Sequence, residues 1–83
     1  MSGRLAAATM PVMQKRSINI DGHSTSVALE PAFWEELSII ARRRELSLNA
    51  LIAEIDRTRG TANLASALRL HVLETLRSKI SRA

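Results

Sequence analysis

Apolar and polar residues alternate along residues 15–29, on both sides of an Asp21-Gly22 pair. An Asp-Gly pair suits a two-residue type I′ turn, in which both central residues need positive φ. Such a turn sets Ile20 opposite His23, Ile18 opposite Thr25 and Arg16 opposite Val27. One face of the predicted hairpin then carries Ile18, Ile20, Thr25, Val27 and Leu29. The other carries Lys15, Ser17, Asn19, Ser24, Ser26 and Ala28. The first face suits a core, and the second is left for solvent or a ligand.

Beyond the hairpin the period becomes helical. Pro31 suits the first turn of a helix, where its missing N–H is no loss. Phe33, Trp34, Leu37, Ile40 and Ala41 then recur along one side, while Ile39 falls on the charged side. Ser47 is a good N-cap for a second helix with Leu48, Leu51, Ile52 and Ile55 as its apolar stripe, and Gly60 is placed to end it. Asn63 or Thr61 can cap a third helix over residues 64–79. Its apolar residues Leu64, Leu68, Leu70, Val72, Leu73, Leu76 and Ile80 spread beyond one narrow stripe. A helix apolar on more than one side calls for more than one neighbour.

With 83 residues the chain has room for one small domain, and a folded monomer of that size is marginal. It contains no cysteine, so neither a disulfide framework nor a thiolate metal site can staple it. Association with a second copy is the remaining way to enlarge the core, and a dimer is the expectation. The chain is expected to comprise a flexible N-terminal arm, 1–14, a single domain, 15–80, and a short tail, 81–83. No apolar run approaches the roughly 18 residues that span a bilayer, so no membrane role and a cytoplasmic location are expected.

Twelve Lys+Arg against eight Asp+Glu give a net charge of +4, which favours polyanions as partners. The densest basic run is Arg42-Arg43-Arg44. Arg42 and Arg43 fall on the solvent side of the first helix, where they complement its macrodipole or meet a phosphate. His23 and His71 have no ligand-spaced carboxylate, and Ser24, Ser26 and Ser47 have no base at a recognisable spacing. Neither a metal, a cofactor nor an enzyme is therefore expected. Trp34 is read as a core anchor, and Glu35 and Glu36 as solvated surface.

The stretches "TSVALEPAFWEELSIIA" and "LSLNALIAEI" resemble the ribbon-helix-helix domains of Arc/MetJ-type bacterial DNA-binding proteins. The chain also resembles a subfamily with an upstream "KRSINIDGH"-like stretch and a third helix. The fold class implied is mainly α with a short β-ribbon: a ribbon-helix-helix dimer with an additional C-terminal helix. The resemblance implies that the strand over residues 24–29 pairs antiparallel with its dimer mate and enters the major groove. Ser24, Ser26 and Ala28 would take the outward, base-reading positions. Ser47, Leu48 and Asn49 match the segment whose backbone amides clamp a phosphate, a role that a helix N-terminus also supports physically. Lys15, Arg16, Arg42 and Arg43 complete the expected phosphate-binding set, with Lys15 favoured because Arg16 falls on the core side. Residues 15–20 are read either as a strand flanking the ribbon or as an arm on DNA. Val27, Leu29, Trp34, Leu68 and Leu73 are expected in the dimer core.

The function expected is that of a homodimeric, sequence-specific binder of double-stranded DNA, a transcriptional regulator such as a repressor. The alternative is a protein-interaction module, for example an antitoxin-like dimer whose third helix docks a protein partner.

Overall fold

The structure, a computed structural model, describes residues 12–81. The arm assigned to residues 1–14 lies, through residue 11, outside the described residues. Its last residue, Gln14, already opens a strand. Of the tail, residues 82 and 83 lie outside the described residues.

Strands β1 (Gln14–Ile20) and β2 (His23–Leu29) form an antiparallel hairpin paired along its whole length, from Gln14 opposite Leu29 to Ile20 opposite His23. Asp21 at φ 50° and Gly22 at φ 84° make the turn, so both central residues have the positive φ that the sequence implies. Residues 15–20 are thus a strand flanking β2, which settles one of the two readings above.

Helix α1 (Pro31–Arg43) starts with its proline in the first turn and ends in a Schellman motif. The Leu46 N–H donates to Ala41 O and the Glu45 N–H to Arg42 O. Glu45 takes the left-handed position of that motif at φ 58°, where glycine is the commoner occupant. Helix α2 (Leu48–Thr58) is capped by Ser47, and Gly60 at φ 63° follows its end. Helix α3 (Leu64–Ser81) is capped by Asn63, whose Oδ1 accepts from the Ser66 N–H at 2.8 Å. No described helix is long and apolar enough to cross a membrane.

The apolar face of the hairpin is roofed by all three helices. Ile18, Ile20, Val27 and Leu29 are buried together with Trp34, Leu37, Ile40, Leu51, Ile52, Ile55, Leu68 and Val72. Phe33, Leu48 and Leu64 are only half-buried and flank this core rather than fill it. Five residues, Val27, Leu29, Trp34, Leu68 and Leu73, are expected in the dimer core. Val27, Leu29, Trp34 and Leu68 are covered by their own chain's elements and form the core of one copy. A lone chain does not leave its apolar ribbon face open, because α3 folds back over it. Leu73 alone of the five is exposed, at 45 %.

Two polar ties hold the layers together. The Trp34 indole N–H donates to the Gln14 carbonyl at 2.8 Å, fixing α1 to the start of β1. The Glu30 carboxylate, at the junction of β2 and α1, receives Arg69 of α3 at 3.0 Å, and the same guanidinium lies over the Phe33 ring. A backbone hydrogen bond at Glu30, aided by Arg69, holds that carboxyl below its ordinary pKa.

Candidate nucleic-acid interface

Because side chains alternate along each strand, the hairpin's second face is built from three rungs: Lys15 opposite Ala28, Ser17 opposite Ser26, and Asn19 opposite Ser24. Five of these six residues are exposed and Ala28 is half-buried. Among these described residues one side-chain hydrogen bond forms, between the Ser17 and Ser24 hydroxyls, 3.3 Å apart. The face is small-residued and polar, with one cation at its open end. Its rigidity comes from the buried side of the same strands.

The structure brings Lys15, Ser24, Ser26 and Ala28 onto this one face. Ser17 and Asn19 join them from the neighbouring strand. Sequence reasoning placed both on the polar side but gave neither a binding role, although the same alternation that singled out Ser24 and Ser26 marks them equally.

Arg16 is placed differently from the other basic residues. It lies on the core side of β1, and its guanidinium sits 4.9 Å from the centroid of the Trp34 ring. That is a cation–π stack that covers the exposed rim of the core. Arg16 thus takes part in the packing of α1 on β1.

A second patch forms where α1 hands over to α2. Arg42 and Arg43 are exposed in the last turn of α1. Arg44 is tied down, its guanidinium 2.9 Å from the Glu54 carboxylate of α2. This hydrogen bond is the main cause that holds the Glu54 carboxyl below its ordinary pKa. At the start of α2, the Ser47 hydroxyl accepts from the Ala50 N–H at 3.0 Å and the Ser47 carbonyl accepts from Leu51. The cap thus leaves the N–H groups of Leu48 and Asn49 as the free donors of the first turn. Together with the positive end of the helix dipole they suit an anion. The 13 residues of α1 set this patch about 20 Å along the helix from the end of β2, at roughly 1.5 Å of rise per residue. One chain therefore offers two separate polar surfaces.

A short antiparallel ribbon, a sharp turn into an amphipathic helix, and a capped second helix with free amides at its start define the ribbon-helix-helix class. The ribbon-helix-helix domain family matches the chain over residues 13–76, and the chain belongs to that family. Members are generally DNA-binding transcription regulators or antitoxins, and they typically form dimers. Among solved structures, the chain is similar to an uncharacterized protein from Bordetella pertussis Tohama I. The two share 32 % identity and a TM-score of 0.66, over 82 % of this chain and 60 % of that one. The chain thus spans 60 % of that protein's length. No curated protein matches it.

Proposed function

We propose that the protein is a homodimeric, sequence-specific DNA-binding regulator that presents the polar face of its hairpin to the major groove. The observation that carries this reading is the exposed row of small polar side chains on a sheet whose other face buries Ile18, Ile20, Val27 and Leu29. A major groove admits a two-stranded ribbon, and base edges are read by side chains that can both donate and accept. Lys15 on the same face, and Arg42, Arg43 and the free amides of Leu48 and Asn49 at the second patch, supply phosphate contacts that position the ribbon without reading it. Such a role puts the protein to work in the cytoplasm, where DNA is available.

Binding to random-sequence and selected duplexes as a function of salt tests this. Phosphate contacts release counterions, so affinity should fall steeply and linearly on logarithmic axes as salt rises. A parent protein that binds no duplex, or binds it independently of salt, rejects the reading.

A second reading rests on α3. Leu70, Leu73, Leu76 and Ile80 are exposed along this helix. If they do not hold two copies together, they are available to a protein partner in an antitoxin-like assembly.

A further inference from the structure

The side of the hairpin that faces the helices is apolar along most of its length, but it turns polar beside the turn. His23 stands opposite Ile20 and Thr25 opposite Ile18, so alternation places both polar residues on the core side of the sheet, behind Asn19 and Ser24. The helical roof stops short of them. Between the hairpin turn, the end of α2 and the start of α3 lies an open cleft of about 240 Å³.

Three kinds of chemistry meet in this cleft. Ile20 of β1 and Leu64 of α3 give it an apolar wall. Arg59, just past the end of α2, gives it a cation. That guanidinium is held by the Asp56 carboxylate at 2.6 Å and by the Ala62 carbonyl, which leaves its Nη2 group without a partner among the described residues. Asp21, in the turn, lines the same cleft and makes no ion pair among the described residues. The half-buried Thr25 hydroxyl and the exposed His23 imidazole complete the lining. A lining with both signs of charge does not suit a polyanion. No group of three or more His, Asp or Glu side chains that could hold a metal ion occurs among the described residues. At about 30 Å³ per water the cleft has the room of roughly eight waters, below the roughly 300 Å³ at which sites for drug-sized ligands begin. What fits is a small molecule that carries a carboxylate, an ammonium and a short apolar chain.

We propose that this cleft binds a free aliphatic α-amino acid, its carboxylate on Arg59 and Thr25, its ammonium on Asp21, and its side chain against Ile20 and Leu64. A ligand seated there joins the hairpin turn to the junction of α2 and α3. It leaves the polar face of the hairpin open, because the cleft lies on the other side of the sheet. This goes beyond the DNA-binding reading and does not depend on it.

The experiment is calorimetric titration of the full chain, without DNA, with three probes: leucine, isocaproate, which lacks the ammonium, and isoamylamine, which lacks the carboxylate. Leucine should bind once per chain, and each truncated probe at least about tenfold more weakly, the worth of one hydrogen bond to a charged group. Two variants locate the site, and circular dichroism checks that each keeps the parent fold. Asp21→Asn retains the turn, since Asn-Gly also suits type I′. It should weaken leucine by a similar factor and leave isocaproate unchanged. Thr25→Val keeps the side chain's shape and removes its hydroxyl. It should weaken leucine and isocaproate and leave isoamylamine unchanged. A parent that takes up no leucine at millimolar concentration overturns the proposal. Isoamylamine binding as tightly as leucine overturns it too, since the cleft would then hold a cation without using Arg59. Leucine binding that neither variant alters lies elsewhere on the chain, and the assignment of this cleft falls.

Discussion

The guanidinium of Arg16 lies over the indole of Trp34, 4.9 Å from the ring centroid, although the strand register puts Arg16 on the side of the sheet that faces the core. The adjacent basic residue, Lys15, projects from the opposite side. Two neighbouring cations are thus split between two tasks by the pleat of one strand.

That split gives opposite expectations for the two alanine variants. Arg16→Ala should lower unfolding free energy by about 0.5–1 kcal/mol, the worth of an exposed cation–π contact, and leave the salt slope of DNA binding unchanged. Lys15→Ala should change stability by less than about 0.5 kcal/mol and reduce the slope by about one unit. Urea titration and salt-dependent binding read the two effects. Should Arg16→Ala instead flatten the slope at constant stability, its guanidinium serves a phosphate and not the indole.

Leu29 tests the register directly. It is completely buried, and its neighbour Ala28 points the other way. Leu29→Ala should cost about 2–5 kcal/mol through lost burial and the cavity left behind. Leu29→Asp should not fold, because an unpaired charge would enter the core. Ser26→Ala should fold as the parent does. Native circular dichroism from Leu29→Asp would mean that the two faces of the hairpin have been exchanged.

Glu45 occupies a left-handed conformation that costs a residue with a Cβ about 1–2 kcal/mol more than glycine. Glycine gives back part of that gain through its freer unfolded chain, roughly 0.5–1 kcal/mol. Glu45→Gly should therefore raise stability by about 0.5 kcal/mol and lift the thermal midpoint by a few degrees. A lowered midpoint would show that the Glu45 side chain makes a contact worth more than the strain.

These residues also mark what the sequence made legible. The hairpin, its turn and its register follow from the alternation and from Asp21-Gly22, all local signals. Pro31, Ser47 and Gly60 punctuate the helices for equally local reasons. Glu45 carries no such signal, because glutamate does not advertise a left-handed residue. The pairing of Arg16 with Trp34 and of Glu30 with Arg69 joins elements distant in sequence, and period alone does not say which helix lies over which strand. For the same reason the apolar ribbon face could be matched to a core, but not to the core of its own chain. The polar face was legible as a face. Which of its residues meets a ligand depends on what else enters the same space, and alternation is silent on that.

His71, half-buried on α3, has its pKa lowered first by burial and then by the nearby Arg44, against a smaller opposing pull from Glu54. The folded state thus binds a proton less readily than the unfolded chain. Stability is present above the ordinary histidine pKa of about 6.5 and declines as pH falls through and below it. Glu54 stays ionised through that window, because its own pKa is depressed. The thermal midpoint should fall between pH 7.5 and pH 5.5, and His71→Gln should shrink the fall. An equal fall in the variant would place the titration elsewhere.

The last expectation concerns the second apolar face of α3. Leu73, Leu76 and Ile80 follow a spacing of three and four residues, the seam of a helix that packs against another helix, with Leu70 beside them. The adjoining face of α3, with Leu68 and Val72, already packs in the chain's own core. If a second copy covers the exposed seam, the parent sediments as a dimer at micromolar concentration and its thermal midpoint rises with protein concentration. Leu73→Asp should then keep native circular dichroism, since its side chain is open in one chain, yet sediment as a monomer. Leu68→Asp should unfold outright, which separates the seam from the core. A parent that is monomeric at that concentration, or a Leu73→Asp variant that associates as tightly as the parent, would leave the seam without a second copy. The face would then belong to a different protein partner, and the antitoxin-like reading would gain what the homodimer loses.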